Sequence, residues 1–583
     1  MSKLNIDQKS IIDLFSDKKS DFLIPDYQRP YAWEEKECQK LWEDIFSFAF
    51  PENDYSLFKR DEEYFLGPIV TFKNKKNKLE IIDGQQRLTT LMLLLRVFYS
   101  YFGNMKDPNA IKTREAISRC LWKTDEFGNP DTEQLKIDSE VSSDEDKEEF
   151  LSILKTGAVL DNQKSKYAEN YRFFQEKINK FLNEYPGYFS YLPARILNNC
   201  ILLPIEAESQ DTALRIFSTL NDRGLPLSDT DIFKAQFYKY YSDKGQKDNF
   251  IQRWKELETT CNDIFDVSSG SPMDELFTRY MYYERAKQGN KKTTTEALRK
   301  FYEGDSNCSY SLLKQDQTLD NLEILAEFWN NVSIQNDDIF SSNVLKELSI
   351  LNYAPNGMWT YLVSVYFLQN KDNKNLLDND KFLIFLKKII AFIWAYAIER
   401  PGVNALRTPV YPEMINIVHN EPVRFNDFKF EEFKVRNNLE NYTFTNGRPI
   451  TKSMLAWWMY YNKKEQKLLN INTKYEIEHI YSKKRQENEN SLNDKNNIES
   501  LGNKALLEKN INIRAADYRL IDKKKYYEGF TTDKGEIKSG TIDSELVSIA
   551  QRHDFTEQDI ITRKQEIVDS FIKYLDEAEL LQK

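Results

Sequence analysis

Apolar residues recur at helical spacing over most of this chain, and only a few short stretches alternate or run continuously apolar as strands do. The first such pattern predicts a short helix within 4–22, with Ile11, Ile12, Leu14 and Phe15 facing inward. A second predicts a helix over 34–50, with Cys38, Leu41, Trp42, Ile45 and Phe46 on one face. Between them, Pro25 and Pro30 hold the segment Ile24 to Trp33 extended or turning. Phe65–Phe72 reads as a strand, and Leu79–Ile82 as its neighbour. Leu88, Leu91, Met92 and Leu95 then open a helix that runs to about Tyr101. Residues 121–165 read as irregular and acidic, with Ser142-Ser143-Asp144-Glu145-Asp146 as a solvated loop. A helix over about 166–185 and a strand at Ile201–Ile205 follow, then a helix from Ala213 to Leu220.

From about 236 to 445 the pattern is helical throughout, with aromatic stripes of the kind that fill cores. Near the other end, Tyr475-Glu476-Ile477-Glu478-His479-Ile480-Tyr481 alternates as a strand. A polar loop over 482–500 leads to a second strand or turn at Leu501–Leu507. A helix is predicted over 510–527, and one or two more over 541–583. Asp559, Arg563 and Glu566 recur there at helical spacing, as exposed ion pairs would.

The junction of strand and helix at Leu79 to Met92 carries the sharpest local signal. Asp83-Gly84-Gln85-Gln86-Arg87 is a tight polar turn in which Gly84 lets the backbone bend and approach a ligand. The unbonded N–H groups and positive end of the following helix face that turn. Read from the residues alone, the turn is either a phosphate cradle or a surface turn organised by an Asp83–Arg87 pair.

Composition narrows the class. A chain of 583 residues is long enough for several domains, and 40% hydrophobic residues can fill their cores. No run of about 18 apolar residues occurs, so no membrane span is expected. The stretch Met1–Asp7 lacks the apolar core of a signal peptide. Five cysteines, with no CxxC pair, fit a reduced cytoplasmic protein without a zinc site. The net charge of −11 argues against a protein that coats nucleic acid without selectivity. The charge is uneven: residues 451–530 carry 16 Lys and Arg against 11 Asp and Glu, a net of +5, which leaves −16 elsewhere. A basic region on an acidic body suits local contact with a phosphate backbone. Runs such as Lys483-Lys484-Arg485 and Lys523-Lys524-Lys525 are expected on solvated faces.

Several motifs now stand in order. Ile24-Pro25-Asp26-Tyr27-Gln28-Arg29-Pro30-Tyr31-Ala32-Trp33 comes first, then Tyr64-Phe65-Leu66-Gly67-Pro68-Ile69-Val70, then the Asp83–Arg87 turn. Ile216 to Ser228, containing Asn221-Asp222-Arg223-Gly224, comes fourth. This set resembles the DGQQR-motif domain of GmrSD-type restriction proteins, whose N-terminal half is similar to a ParB/sulfiredoxin fold. Ile477-Glu478-His479-Ile480 and Leu501-Gly502-Asn503-Lys504-Ala505-Leu506-Leu507 resemble the HNH nuclease domain of the same proteins. Here Tyr481-Ser482-Lys483 stand where the family often has proline and glutamine, and Lys504 replaces a common leucine.

The resemblance implies an α+β, predominantly helical chain in three parts. These are a ParB-like nucleotide-binding α/β domain over 1–235, a helical connector over 236–445, and an HNH endonuclease domain over 446–583 with a ββα-metal core at about 474–527. The nucleotide site would use Asp83, Gly84, Gln85, Gln86 and Arg87, with Tyr27, Gln28 and Arg29, Tyr27 or Tyr31 stacking on a base, and Asn221 and Arg223 closing the site. His479 would be the general base, since an imidazole titrating near neutrality suits deprotonation of water. Glu478 and Asn510 would ligate Mg²⁺ or Mn²⁺, hard ions that take oxygen donors. Asn512 competes with Asn510 for that role, and Asn503 would hold the loop and orient the histidine. The implied function is a nucleotide-regulated, Mg²⁺-dependent DNA endonuclease with NTPase activity, serving a bacterial anti-phage, modification-dependent restriction system. Its partners would be foreign or modified phage DNA, a nucleoside triphosphate of unspecified base, and a second copy or other defence proteins, in the cytoplasm. The alternatives are a nucleotide-dependent DNA-binding module with an inactive nuclease, and an RNase effector.

Overall fold

The computed structural model describes residues 5–6, 8–141, 146–220, 229–267, 270–291, 296–304, 310–400, 406–461, 468, 473–516 and 519–582. The chain is predominantly helical and divides into two compact units, Met1–Glu256 and Leu257–Lys583. Among the described residues no helix is long and apolar enough to cross a membrane.

The first unit is built on one mixed sheet. The strand Tyr64–Lys73 lies at its centre, antiparallel to Leu79–Asp83 on one side and parallel to Cys200–Ala207 on the other. Phe22–Ile24 continues the sheet parallel to Leu79–Asp83, and Ile137–Ser139 closes that edge. The helix Gln85–Phe102 is apolar nearly all round, and Leu88, Leu91 to Leu95, Val97 and Phe98 are all buried. Such a helix belongs in the middle of a core rather than on a surface. It packs against the helix Lys166–Glu184, which Ser165 caps by accepting the Ala168 N–H. The arrangement brings the loop before Gln85 beside the extended segment 25–33.

Two sequence expectations are corrected in this unit. The inward-facing helix within 4–22 is only Ile11–Ser16. The stretch 121–165 is not irregular: it holds the strands Trp122–Thr124, Pro130–Leu135 and Ile137–Ser139 and the helix Lys147–Thr156. Pro130–Leu135 is almost wholly exposed, so no apolar alternation marks it. Ile137 is buried only because Phe22, far away in sequence, pairs beside it.

The part of the expected helical connector that lies in the second unit, residues 257–445, packs together with the C-terminal region. The helix Asn379–Glu399 touches Ser342–Leu351, Pro449–Tyr461 and Glu557–Glu577. A two-stranded antiparallel ribbon, Tyr475–His479 with Lys504–Glu508, carries the residues singled out for chemistry. The loop 482–500 contains the helix Lys483–Glu489 and a 3-10 turn at Lys495–Glu499. The single helix expected over 510–527 is two, Lys509–Ala515 and Leu520–Glu528, with Ala516 at a φ of 45° at the break.

Candidate functional sites

The ribbon register fixes what each side of the C-terminal site can reach. Tyr475 lies opposite Glu508, Glu478 opposite Ala505 and His479 opposite Lys504. Adjacent residues of a strand project to opposite faces, so Glu478 and His479 diverge. Glu478 turns inward to the helix Leu520–Glu528 and is only 4% exposed. There Lys523 Nζ sits 2.5 Å from Glu478 Oε1, and the Tyr527 hydroxyl donates to the same oxygen at 2.6 Å. Lys523 also donates to the His479 carbonyl at 2.7 Å. Burial, then the Glu478 charge, pushes the Tyr527 phenol well above its ordinary range, so it remains a donor.

His479 faces a second set of charges. Its Nε2 is 3.8 Å from Glu499 Oε1, and among the described residues no hydrogen-bond partner meets that nitrogen. Glu499 is gripped by Lys483 and Lys504, each with Nζ 2.5 Å from a carboxylate oxygen. Lys504 is wholly buried and also donates to the Phe444 carbonyl and to Asn446 Oδ1. Burial, and then the ammonium groups of Lys504 and Lys483, drive the His479 pKa well below its ordinary value, against the pull of Glu499. Burial alone would raise Glu499, but the hydrogen bonds from Lys483 and Lys504 outweigh it and hold the carboxylate ionised. The result is a neutral imidazole with an unbonded ring nitrogen, beside a carboxylate and a half-exposed lysine, Lys483.

Asn503 clasps the turn after the histidine. Its Oδ1 accepts the Tyr481 N–H at 2.8 Å, and its Nδ2 donates to the carbonyls of Tyr481 and Ile498 at 3.0 and 3.1 Å. Arg563 braces the same turn from the helix Glu557–Glu577, donating to the carbonyls of Leu501, Gly502 and Lys504 while pairing with Glu545. Gly502 admits this contact, since a Cβ there would collide with the Ile560 carbonyl. Arg563 is therefore not the exposed ion pair its spacing suggested; it is 5% exposed.

The expected metal ligands are not assembled. Asn510 is exposed on the helix Lys509–Ala515, beyond the end of the ribbon marked by Tyr475 and Glu508. His479 lies at the opposite end, four residues or about 13 Å along the strand at ~3.3 Å each. Asn512 donates to Glu476 Oε2 at 3.2 Å instead. Glu478 already holds an ammonium. Among the described residues no group of three or more histidine, cysteine or carboxylate side chains could hold a metal ion. Glu478 with Asn510 does not fit a divalent cation shared with His479.

In the N-terminal unit, the Asp83–Arg87 turn is stitched to the segment before Trp33. Gln85 Nε2 donates to the Arg29 carbonyl at 2.6 Å. Gln86 Oε1 accepts the N–H of Ala32 at 2.7 Å, and its Nε2 donates to the Pro30 carbonyl at 3.2 Å. Gln28 Nε2 reaches back to the Ile82 carbonyl at 3.2 Å. These glutamine amides are engaged with backbone, so their role here is to fix one motif against the other. Tyr27 and Tyr31 are also buried, against Tyr238 and Tyr167, and neither presents an open face for a base to stack on.

What stays available is charge. Gly84 has a φ of 94°, and no side chain caps the helix it precedes. Arg87 donates through Nη1 to the Pro68 carbonyl at 2.8 Å and lies against Gly67. Asp83 accepts the Gly84 N–H at 2.7 Å, and among the described residues it forms no ion pair with Arg87 or Arg29. Burial raises the Asp83 carboxyl despite the nearby Arg87 and Arg29 charges. Two arginines and an uncapped helix start thus face one turn. Asn221 and Arg223 lie outside the described residues.

Sequence reasoning passed over Glu499 and placed Lys523 and Arg563 on exposed faces. Lys523 and Lys483 sit in the two charge runs expected on solvated faces, yet Lys523 is buried and Lys483 is paired with Glu499. The one local signal was Lys504, a charged residue at the head of the apolar run Ala505-Leu506-Leu507.

The N-terminal domain of GmrSD restriction endonucleases matches residues 11–238, and their C-terminal domain matches residues 427–570. An uncharacterized protein of Methanocaldococcus jannaschii, MJ0686, is 24% identical over 266 residues, which are 41% of this chain and 43% of the relative. The chain thus aligns with less than half the length of that curated relative. The two domain matches together span more than half of the chain, in the order in which the family carries them, and the chain belongs to the GmrSD-type restriction endonucleases.

Proposed function

We propose that this chain is a restriction endonuclease of the type IV kind, whose C-terminal unit hydrolyses phosphodiester bonds in DNA with His479 as the general base. The observation that carries the reading is the unbonded, neutral Nε2 of His479 in a nook of charged groups. In the proposed step Nε2 takes a proton from water, and the hydroxide oxygen bonds to phosphorus. The bond from phosphorus to the leaving ester oxygen breaks, and that oxygen is protonated by solvent. Lys483 supplies positive charge to the phosphate oxygens. Asn503 and Arg563 hold the turn that sets the imidazole in place. No step is routed through Mg²⁺, because the donors assigned to it do not converge.

The N-terminal unit is proposed to bind the phosphates of a nucleoside triphosphate with Arg29, Arg87 and the start of the helix Gln85–Phe102. Hydrolysis of that nucleotide and its coupling to DNA cleavage belong to the same proposal, as does a defence role against foreign, modified DNA. The test is cleavage of plasmid and modified phage DNA by wild type, His479→Ala and Arg87→Ala, with phosphate release measured for each of the four triphosphates. Equal cleavage by wild type and His479→Ala would remove the nuclease assignment. A second reading, a DNA-binding module with an inactive nuclease, is favoured by the Glu478–Lys523 pair where a metal ligand was expected. It requires DNA retention without cleavage in the presence or absence of Mg²⁺. An RNA substrate in the same assay tests the RNase alternative.

A further inference from the structure

A cavity of about 430 Å³ opens among four helices of the second unit: Ser342–Leu351, Asn379–Glu399, Pro449–Tyr461 and Glu557–Glu577. Its volume falls within the ~300–1,000 Å³ of small-molecule sites. Two of its lining groups carry buried polar atoms that meet no hydrogen-bond partner among the described residues, Glu347 Oε2 and Trp457 Nε1. Trp457 is 1% exposed. Buried polar atoms are nearly always bonded, so two unmet ones on one cavity ask for an occupant. Trp457 stacks on Tyr461 with centroids 4.7 Å apart and lies 5.5 Å from Tyr574, which makes an aromatic wall. Lys346, Lys387, Lys573 and Glu577 also line the cavity, with Lys573 Nζ 3.7 Å from Glu577 Oε1.

We propose that this cavity is a binding site for a single nucleobase extruded from nucleic acid, read by Glu347 and Trp457. The unmet groups define the edge. The indole N–H can only donate, so it needs an acceptor. Burial lifts the Glu347 carboxyl to about 7, against Lys387 and Lys346, so near neutrality it can donate through its proton and accept through its other oxygen. A pyrimidine edge meets these groups: cytosine offers an amino donor and a ring-nitrogen acceptor to the carboxyl and a carbonyl to the indole, and thymine offers an imide N–H and one carbonyl to the carboxyl and its other carbonyl to the indole. The aromatic wall supplies a face for stacking, and the lysines supply charge for the flanking phosphates. The helices bearing Glu347 and Lys387 lie outside both matched family regions. The proposal rests on the reading above only in taking DNA as the polymer that presents the base.

The experiment is calorimetric titration of the full chain with dCMP, dAMP, dTMP and deoxyribose 5-phosphate, in an Arg87→Ala background that silences the front turn. The expected result is tighter binding of dCMP and dTMP than of dAMP and deoxyribose 5-phosphate, weakened about tenfold by Glu347→Leu and by Trp457→Phe, the scale of one lost base contact. Glu347→Gln, which keeps a donor and an acceptor, should restore it. Glu347→Leu removes a buried carboxyl oxygen that has no hydrogen bond among the described residues, so the fold should tolerate it, and Trp457→Phe keeps an aromatic ring to pack on Tyr461. The proposal is overturned if dCMP binds no tighter than deoxyribose 5-phosphate, or if Glu347→Leu and Trp457→Phe both bind it as wild type does. No cleavage is read in this assay, so a failed nuclease test leaves its outcome untouched.

Discussion

The guanidinium of Arg87 lies flat against Gly67, so close that a Cβ on Gly67 would come within 2.9 Å of its central carbon. Two motifs distant in sequence therefore meet here, and Arg87 also donates to the Pro68 carbonyl nineteen residues before it. Gly67 also has a φ of 124°, a conformation that L side chains rarely adopt.

Gly67→Ala should accordingly act twice. The backbone strain should lower stability by about 1–3 kcal/mol, and the displaced Arg87 should lose its bond to the Pro68 carbonyl. Thermal denaturation reads the first effect. Triphosphate binding by the isolated variant reads the second, and it should fall toward the level of Arg87→Ala. Unchanged affinity would mean that Arg87 does not need this seat to hold phosphate.

Lys523→Met tests the buried pair beneath the ribbon. Removing the ammonium leaves the Glu478 side chain, 4% exposed, with the Tyr527 hydroxyl as its one remaining hydrogen-bond donor among the described residues. Breaking a buried pair on one side costs about 3–5 kcal/mol, whereas replacing both members by apolar groups is often tolerated. Urea denaturation should show a large loss for Lys523→Met and a clear recovery in Glu478→Leu/Lys523→Met.

These residues also show what the sequence made legible. The strand Tyr64–Lys73, the helix Gln85–Phe102 and the glycine turn between Asp83 and Gln85 follow local rules, period and backbone freedom, and all appear in the structure as expected. Pairing between distant segments does not. Ile137 joins the sheet through Phe22, and Arg563 turns inward because Glu545 and the Leu501–Lys504 carbonyls await it. A lysine run reads as solvated whenever its carboxylate partners lie elsewhere in the chain, as Glu478 does for Lys523. The alternation that marks Tyr475–His479 as a strand also sends Glu478 and His479 to opposite faces, so the divergence of base and carboxylate was present in the pattern itself.

Lys504→Leu tests the electrostatic poise of His479. Lys504 is the largest charge pushing the imidazole toward its neutral form, after burial. Without it the His479 pKa should rise toward the ordinary value near about 6.5. In NMR of histidine-labelled protein, the resonance lost in His479→Gln should titrate at higher pH in Lys504→Leu than in wild type. Where cleavage is measurable, the acidic limb of the rate profile should move up in the same direction. A rate profile that ignores this change would mean that another group is the base.

His479 also makes stability depend on pH, and the sign follows from the direction of its shift. Its pKa is depressed in the folded chain, so between the depressed value and about 6.5 the unfolded chain binds the extra proton. Stability therefore rises with pH through that interval. The contribution is complete above about 6.5 and is lost as the pH falls below it. His479→Gln removes the group that must charge on unfolding. Urea denaturation at about pH 7 and about pH 5 should show wild type losing more stability on acidification than His479→Gln. Parallel losses in the two proteins would mean that the imidazole is not held neutral by its burial against Lys504 and Lys483.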